Sequence, residues 1–310
     1  MKLSTRHIIS INDLSKKDIL TILQTAESFK EISERKIKKV PTLRGKTVVN
    51  CFFEDSTRTR VSFELAEKRL SADSVNISKS GSAMKKGENL LDTMKNLEAM
   101  KPDIVIVRHS MSGAPQMIAE NIKSHVINAG DGCHEHPTQA LLDLLTIKDV
   151  KGKMQGLTVG IIGDLLHSRV ARSEILLFKK MGMQVLIGGP KTLIPPGIET
   201  FGVTVYHDIK KMIPKLDVLI LLRIQQERVN EHLFPNLREY AKYFGIDNTK
   251  LATAKDDLTI MHPGPVNRGV ELAAEVADGS RSVILNQVTN GVAVRMALLY
   301  LLIGDSKELS

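Results

Sequence analysis

Short runs of consecutive apolar residues alternate along the chain with segments in which apolar residues recur at helical spacing. Thr47-Val48-Val49-Asn50-Cys51-Phe52 is the first such run, and Phe63, Ala66 and Leu70 follow it at a helical period. The pattern predicts strands over 47–53, 73–78, 103–108 and 124–129, with helices over 58–70, 88–100, 113–121 and 136–149. An earlier helix is signalled by Ser15-x-x-Asp18, a variant capping box ahead of Ile19, Leu20, Ile22 and Leu23, and should run to about Ile32. Residues 34–39 form a charge run that reads as a solvated face.

A second series begins after the Gly- and Lys-rich stretch Lys151–Gly156. Val159–Asp164 reads as a buried strand, with further strands expected over 184–188, 203–206, 216–222, 258–261 and 282–285. The last helix, from about Asn290 to Leu302, has an almost wholly apolar body and must be buried. Strands alternating with helices argue for the α/β class: two Rossmann-like domains, each a parallel sheet flanked by helices. The boundary falls near residue 150, giving domains 1–149 and 150–289, with the helix over 136–149 joining them and the C-terminal helix (about 290–310) packing back on the first.

Ligands of open parallel sheets bind at the carboxyl ends of the strands. Polar clusters fall there one after another: Ser56-Thr57-Arg58-Thr59, Arg108-His109, Gly130-Asp131 with His136-Pro137-Thr138-Gln139, Asp164 with Arg169, Arg223 with Gln225, and His262-Pro263-Gly264-Pro265. Arginines from both halves at one kind of edge describe a basic cleft between two domains, which places the active site there. At Ser56–Thr59 a strand ends and a helix begins, so unpaired N–H groups, three hydroxyls and a guanidinium meet; this favours an anion, phosphate above all. The alternative is an ordinary helix cap with two solvated arginines.

The charge balance narrows the ligand. Forty-three Lys and Arg against 35 Asp and Glu leave +8, which suits either nucleic acid or a small anion. Four Tyr, eight Phe and no Trp offer little for base stacking, so the small anion is favoured and no nucleic acid is expected. No apolar run reaches membrane-spanning length, and Met1–His7 has no apolar core of secretory length. Two cysteines without a CxxC suit the cytoplasm, and both are expected to pack as small apolar residues. Gly81–Glu88 lacks the Gly-Lys-Ser/Thr ending of a nucleotide loop, and Gly160–Asp164 is not a dinucleotide fingerprint. His134-Glu135-His136 lacks a third ligand, so no metal and no organic cofactor are expected.

Phe53-x-x-Ser56-Thr57-Arg58-Thr59, and His136-Pro137-Thr138-Gln139 following Asp131-Gly132, resemble the two signatures of the aspartate and ornithine carbamoyltransferase family, and the likeness runs in order through essentially the whole chain. Three places resemble the aspartate branch. Glu54 stands where ornithine enzymes usually have Lys, and Arg223-Ile224-Gln225-x-Glu227-Arg228 is similar to an aspartate-binding loop. His262-Pro263-Gly264-Pro265 has no Cys, and no Asp-x-x-x-Ser-Met-Gly loop follows Arg223. Gly264 departs from members that carry Leu; its backbone carbonyl should keep the role.

The resemblance implies carbamoyl transfer from carbamoyl phosphate to L-aspartate, the committed step of pyrimidine synthesis. It assigns carbamoyl phosphate to Ser56, Thr57, Arg58, Thr59, Arg108, His136 and Gln139 and to the backbone of Pro263, Gly264 and Pro265, with Arg58, Thr59, Lys86, Arg108 and His136 catalytic. Aspartate falls to Lys86, Arg169, Arg223 and Gln225. Ser82 and Lys86 are implied to enter a neighbouring subunit's site, hence a homotrimer, and Glu54 to pair with Arg169 and Arg228 in closing the domains. Whether regulatory chains or a further pathway enzyme attach is left open.

Overall fold

The computed structural model describes residues 3–78, 88–224 and 236–304. They divide into two compact units: Met1–Leu142 with Thr289–Ser310, and Asp143–Val288.

The first unit opens with helix α1, Lys16–Glu34. Ser15 Oγ accepts from Asp18 N at 3.1 Å and Asp18 accepts from Ser15 N at 3.0 Å, so the expected capping box is present. Burial pushes the Asp18 carboxyl up, but hydrogen bonds from Ser15 and Ser4 prevail and bring it down to about 2. Then come β1 (Thr47–Phe52), α2 (Thr57–Arg69), β2 (Asp73–Ser78), α3 (Leu90–Glu98), β3 (Ile104–His109), α4 (Ala114–Asn121), β4 (His125–Asp131) and α5 (Pro137–Lys151). The sheet is parallel throughout, ordered β2-β1-β3-β4. Val48, Val49, Cys51, Ile104–Val107, Val126 and Ile127 are buried, as continuous apolar strands of a covered parallel sheet must be. Edge strand β2 is largely exposed or half-buried, which its mixed sequence explains.

Glu67 of α2 fastens that helix to the sheet. Asn50 of β1 donates to both its oxygens at 3.0 Å, and Ser74 of β2 also donates. Burial outweighs these bonds and raises its carboxyl to about 7.

The second unit contains β5 (Thr158–Ile162), α6 (Arg169–Lys180), β6 (Gln184–Gly188), β7 (Thr204–Tyr206), β8 (Val218–Leu221), α7 (Leu237–Phe244), α8 (Asn248–Leu251), β9 (Thr259–Met261) and α9 (Ala274–Ala277). Its parallel sheet is ordered β7-β6-β5-β8-β9. The final helix α10, Ile284–Ile303, begins in this unit and continues into the first, where residues 290–301 are buried. There Tyr300 meets Phe29 of α1 edge-on, 5.8 Å between ring centroids.

Two expectations fail. Residues 282–285 form no strand: Ser282 makes one isolated bridge to Ile260, and α10 starts at Ile284, six residues before its predicted start. An apolar Val-Ile-Leu run has no periodicity to separate a strand from the first turn of a buried helix. Cys133 is exposed, while Cys51 is buried and burial pushes its thiol up to about 12. Cys133 sits in the turn after β4, where its N–H donates to Ser112 Oγ at 3.2 Å.

Each sheet has one point where chain order reverses. In the first unit β1 lies between β2 and β3, and in the second β5 lies between β6 and β8. Connections leave in opposite directions on either side of such a point, opening a crevice at the carboxyl ends.

Candidate active site

In the first unit the reversal point lies between the ends of β1 and β3. From β1 the chain runs through Phe53 and Glu54 into α2; from β3 it ends in Arg108 and His109. Phe53 N donates to Arg108 O at 2.9 Å, and the Phe53 and His109 rings meet edge-on at 5.7 Å. The two strand ends are thus held side by side.

Ser56 takes the N-cap position of α2 in an extended conformation, yet its hydroxyl makes no cap hydrogen bond. Ser15, Asn89, Ser168, Asn236 and Asp247 all accept from the helices they open. The ordinary-cap alternative therefore fails for α2: its first turn offers N–H groups that no cap side chain satisfies, beside the Ser56 and Thr57 hydroxyls. This is the arrangement that takes an anion. Thr57 and Arg58 are exposed, and Thr59 is buried.

Arg108 is mostly covered. Nη1 donates to Ala129 O at 3.1 Å, and Nη2 lies 3.6 Å from Glu54 Oε1. Within the first unit Glu54 thus meets Arg108, a contact the sequence did not suggest.

His136 is buried and immediately precedes α5. Its carbonyl accepts from Gln139 N at 3.0 Å and Ala140 N at 3.3 Å, which starts the helix. Its Nδ1 lies 3.5 Å from Thr138 Oγ1. Asp131 and Glu135 anchor the turn before it: Asp131 accepts from Gly113 N at 2.6 Å and Asn128 Nδ2 at 2.8 Å, and Glu135 accepts from Ile11 N at 3.0 Å and from Ser10. Burial works against the Asp131 charge, but bonds from His134, Gly113 and Asn128 hold its carboxyl below the usual range.

Arg295 was not among the expected site residues. Buried on α10, it lies over the Phe63 ring at 5.0 Å and donates to Ser62 Oγ at 2.8 Å and Thr138 Oγ1 at 3.4 Å. It therefore links α2, the start of α5 and α10. The available signal was a lone arginine inside an otherwise apolar helix.

The second unit repeats the logic at the ends of β5 and β8. A Cβ on Gly163, which has φ +142°, would lie 2.6 Å from Leu222 O, so only glycine lets these strand ends approach this closely. Beyond them stand Arg169, the first residue of α6, and Arg223. Arg169 is buried and Arg223 half-buried. After β9, Pro263 and Gly264 are half-buried and Pro265 is exposed; Gly264 holds φ +71°, a left-handed conformation that favours glycine. Ser82, Lys86, Gln225 and Arg228 lie outside the described residues.

Residues 6–149 match the family model described as aspartate/ornithine carbamoyltransferase, carbamoyl-P binding domain, and residues 155–302 match that of the Asp/Orn binding domain. The chain belongs to the aspartate/ornithine carbamoyltransferase family. It is 59% identical to the aspartate carbamoyltransferase catalytic subunit of Syntrophotalea carbinolica, over 99% of this chain and 98% of that one. It is also similar to the aspartate transcarbamoylase of Trypanosoma cruzi, solved with N-(phosphonacetyl)-L-aspartic acid (TM-score 0.87, 31% identity, 96% of each chain). The ornithine carbamoyltransferase of Pyrococcus furiosus has the same TM-score, 0.87, at 28% identity, covering 99% of this chain and 100% of that one. Backbone likeness therefore does not separate the two branches of the family. The side chains at the strand ends must.

Proposed function

We propose that the chain transfers the carbamoyl group of carbamoyl phosphate to the amine of L-aspartate, giving N-carbamoyl-L-aspartate and phosphate, the committed step of de novo pyrimidine synthesis. What carries the reading is the uncapped start of α2 beside Arg108 at one reversal point, in a member of this family whose residue 54 is Glu. A relative solved with a molecule that joins a phosphonacetyl group to aspartic acid fits it.

The β1–β4 unit is assigned carbamoyl phosphate. The α2 N–H groups with Ser56, Thr57, Arg58 and Thr59 hold the phosphate, and Arg108 is a second clamp. Thr59, Arg108 and His136 stabilise negative charge on the carbonyl oxygen as the amine adds. Gln139 and the carbonyls of Pro263, Gly264 and Pro265 accept from the carbamoyl NH2. The β5–β9 unit is assigned aspartate, whose two carboxylates call for two cations, Arg169 and Arg223, with Gln225 assisting. The substrate amine forms the new C–N bond, the C–O bond to phosphate breaks, and the departing phosphate takes the amine proton. These steps use no metal, organic cofactor or covalent enzyme intermediate. Among the described residues no helix is long and apolar enough to cross a membrane, and a cytoplasmic location suits the enzyme.

The deciding assay is colorimetric detection of ureido product with aspartate and ornithine offered side by side. Product from aspartate alone is expected; product from ornithine alone overturns the reading.

We further propose a homotrimer in which Ser82 and Lys86 complete a neighbour's site and Glu54 pairs with Arg169 and Arg228 as the site closes. Mixing inactive Arg58→Ala chains with inactive Lys86→Ala chains should restore activity, because some sites in the mixed trimers then carry neither substitution. Mixed trimers that stay silent would count against shared sites.

A further inference from the structure

A buried polar chain stands behind the Pro263–Pro265 backbone, and none of its members belongs to the substrate machinery above. Gly264 N donates to His262 Nδ1 at 2.8 Å, so that nitrogen carries no proton and His262 presents Nε2–H to Glu271 Oε1, 3.3 Å away. Glu271 Oε1 also accepts from Asn267 N at 2.6 Å. His262 N donates to Gln287 Oε1 at 2.9 Å, which fixes the amide of Gln287 and turns its Nε2 to Asp143 Oδ1 at 2.7 Å. Asp143 must accept there. Beside it stands Glu174 of α6, fully buried, with neither carboxyl oxygen receiving a hydrogen bond from a donor. Two carboxyl groups in contact, both out of water, do not both ionise. One proton shared between the two carboxyls lets both stay buried, and it is assigned to Glu174, whose oxygens have no other hydrogen-bond partner, while Asp143 already accepts from Gln287. Burial first, and then the Asp143 charge, push the Glu174 carboxyl far up, in agreement.

From Asp143 to the loop after β9 each hydrogen bond has a single direction. Reversing the Gln287 amide would face His262 N–H with another N–H and Asp143 Oδ1 with a carbonyl oxygen. We propose that Glu174, Asp143 and Gln287 form a positioning relay that holds the Pro263–Pro265 carbonyls where the carbamoyl NH2 is recognised. The proposal rests on the function assigned above to that backbone. It explains why an acidic side chain stands on the face of α6 that buries Ala171, Ile175 and Phe178.

The test uses the full-length enzyme. Gln287→Met keeps the side-chain length and removes both hydrogen bonds. It should lower kcat/KM for carbamoyl phosphate by about 10- to 100-fold, leave KM for aspartate nearly unchanged, and speed hydrogen exchange at the Gly264 amide by about tenfold or more. Glu174→Leu should move both readouts the same way. Glu174→Gln should restore both, since its amide hydrogen replaces the shared proton. Wild-type kinetics and Gly264 exchange in Gln287→Met would overturn the relay, as would Glu174→Gln behaving like Glu174→Leu. If Gln287→Met does not fold, the two Glu174 variants decide. Absence of transfer by the wild-type enzyme would sink the functional reading instead, and Gly264 exchange would still decide the relay.

Discussion

Arg108→Ala is expected to lower kcat/KM for carbamoyl transfer by about 10²- to 10³-fold, the scale for losing one preorganised donor to developing negative charge. The backbone bond from Phe53 N to Arg108 O sets this side chain next to the start of α2, where the phosphate is assigned. A guanidinium there offers a planar fork, able to serve a phosphate oxygen and the carbonyl oxygen together. Removing it takes away charge and geometry at once. Arg108→Lys should recover about tenfold at most, because an ammonium restores the charge as a point and not the fork. Folding should survive at a cost of about 1–3 kcal/mol, the scale for removing the guanidinium 3.6 Å from the mostly covered Glu54 carboxylate. Steady-state kinetics beside a thermal melt separate the two effects. Activity within threefold of wild type in a folded Arg108→Ala protein would remove Arg108 from the site.

The strands and most helices were legible because parallel strands buried on both faces read as continuous apolar runs. The proposed phosphate site stands out for a related reason. A strand end followed by Ser-Thr-Arg-Thr is local in sequence, and one helix start assembles it. Residues assembled from distant segments left weaker marks. Arg295 and Gln287 act through buried contacts with partners far along the chain, 233 positions for Arg295 and Ser62 and 144 for Gln287 and Asp143, and a single polar residue in an apolar helix shows only that some partner exists. The pairing of Glu54 with Arg108 was hidden because it joins two different strand ends. The Val283-Ile284-Leu285 run misled for the opposite reason: its composition is strand-like, but the chain there has already entered a helix. Choosing aspartate over ornithine rested on side chains and not on fold, as the equal backbone likeness to relatives from both branches requires.

His136→Ala is expected to lower kcat by about 10²-fold or more while the Kd for carbamoyl phosphate changes by less than about threefold. The distinction follows from what the imidazole does. Phosphate binding is assigned to the α2 start and two arginines, whereas His136, in the turn that starts α5, is assigned to the carbonyl oxygen. Its contribution is a donor to the carbonyl oxygen, and such a bond strengthens as charge accumulates on that oxygen. Thr138 Oγ1, which accepts from Arg295 Nη2 at 3.4 Å, lies 3.5 Å from His136 Nδ1, so the ring's other nitrogen, Nε2, is the one assigned to the carbonyl oxygen. His136→Gln, which keeps a donor near that position, should therefore retain more activity than His136→Ala. Equilibrium binding of carbamoyl phosphate measured beside turnover checks the claim. An equal loss in binding and turnover would make His136 a ground-state ligand, and a near-normal kcat would leave it a structural residue at the start of α5.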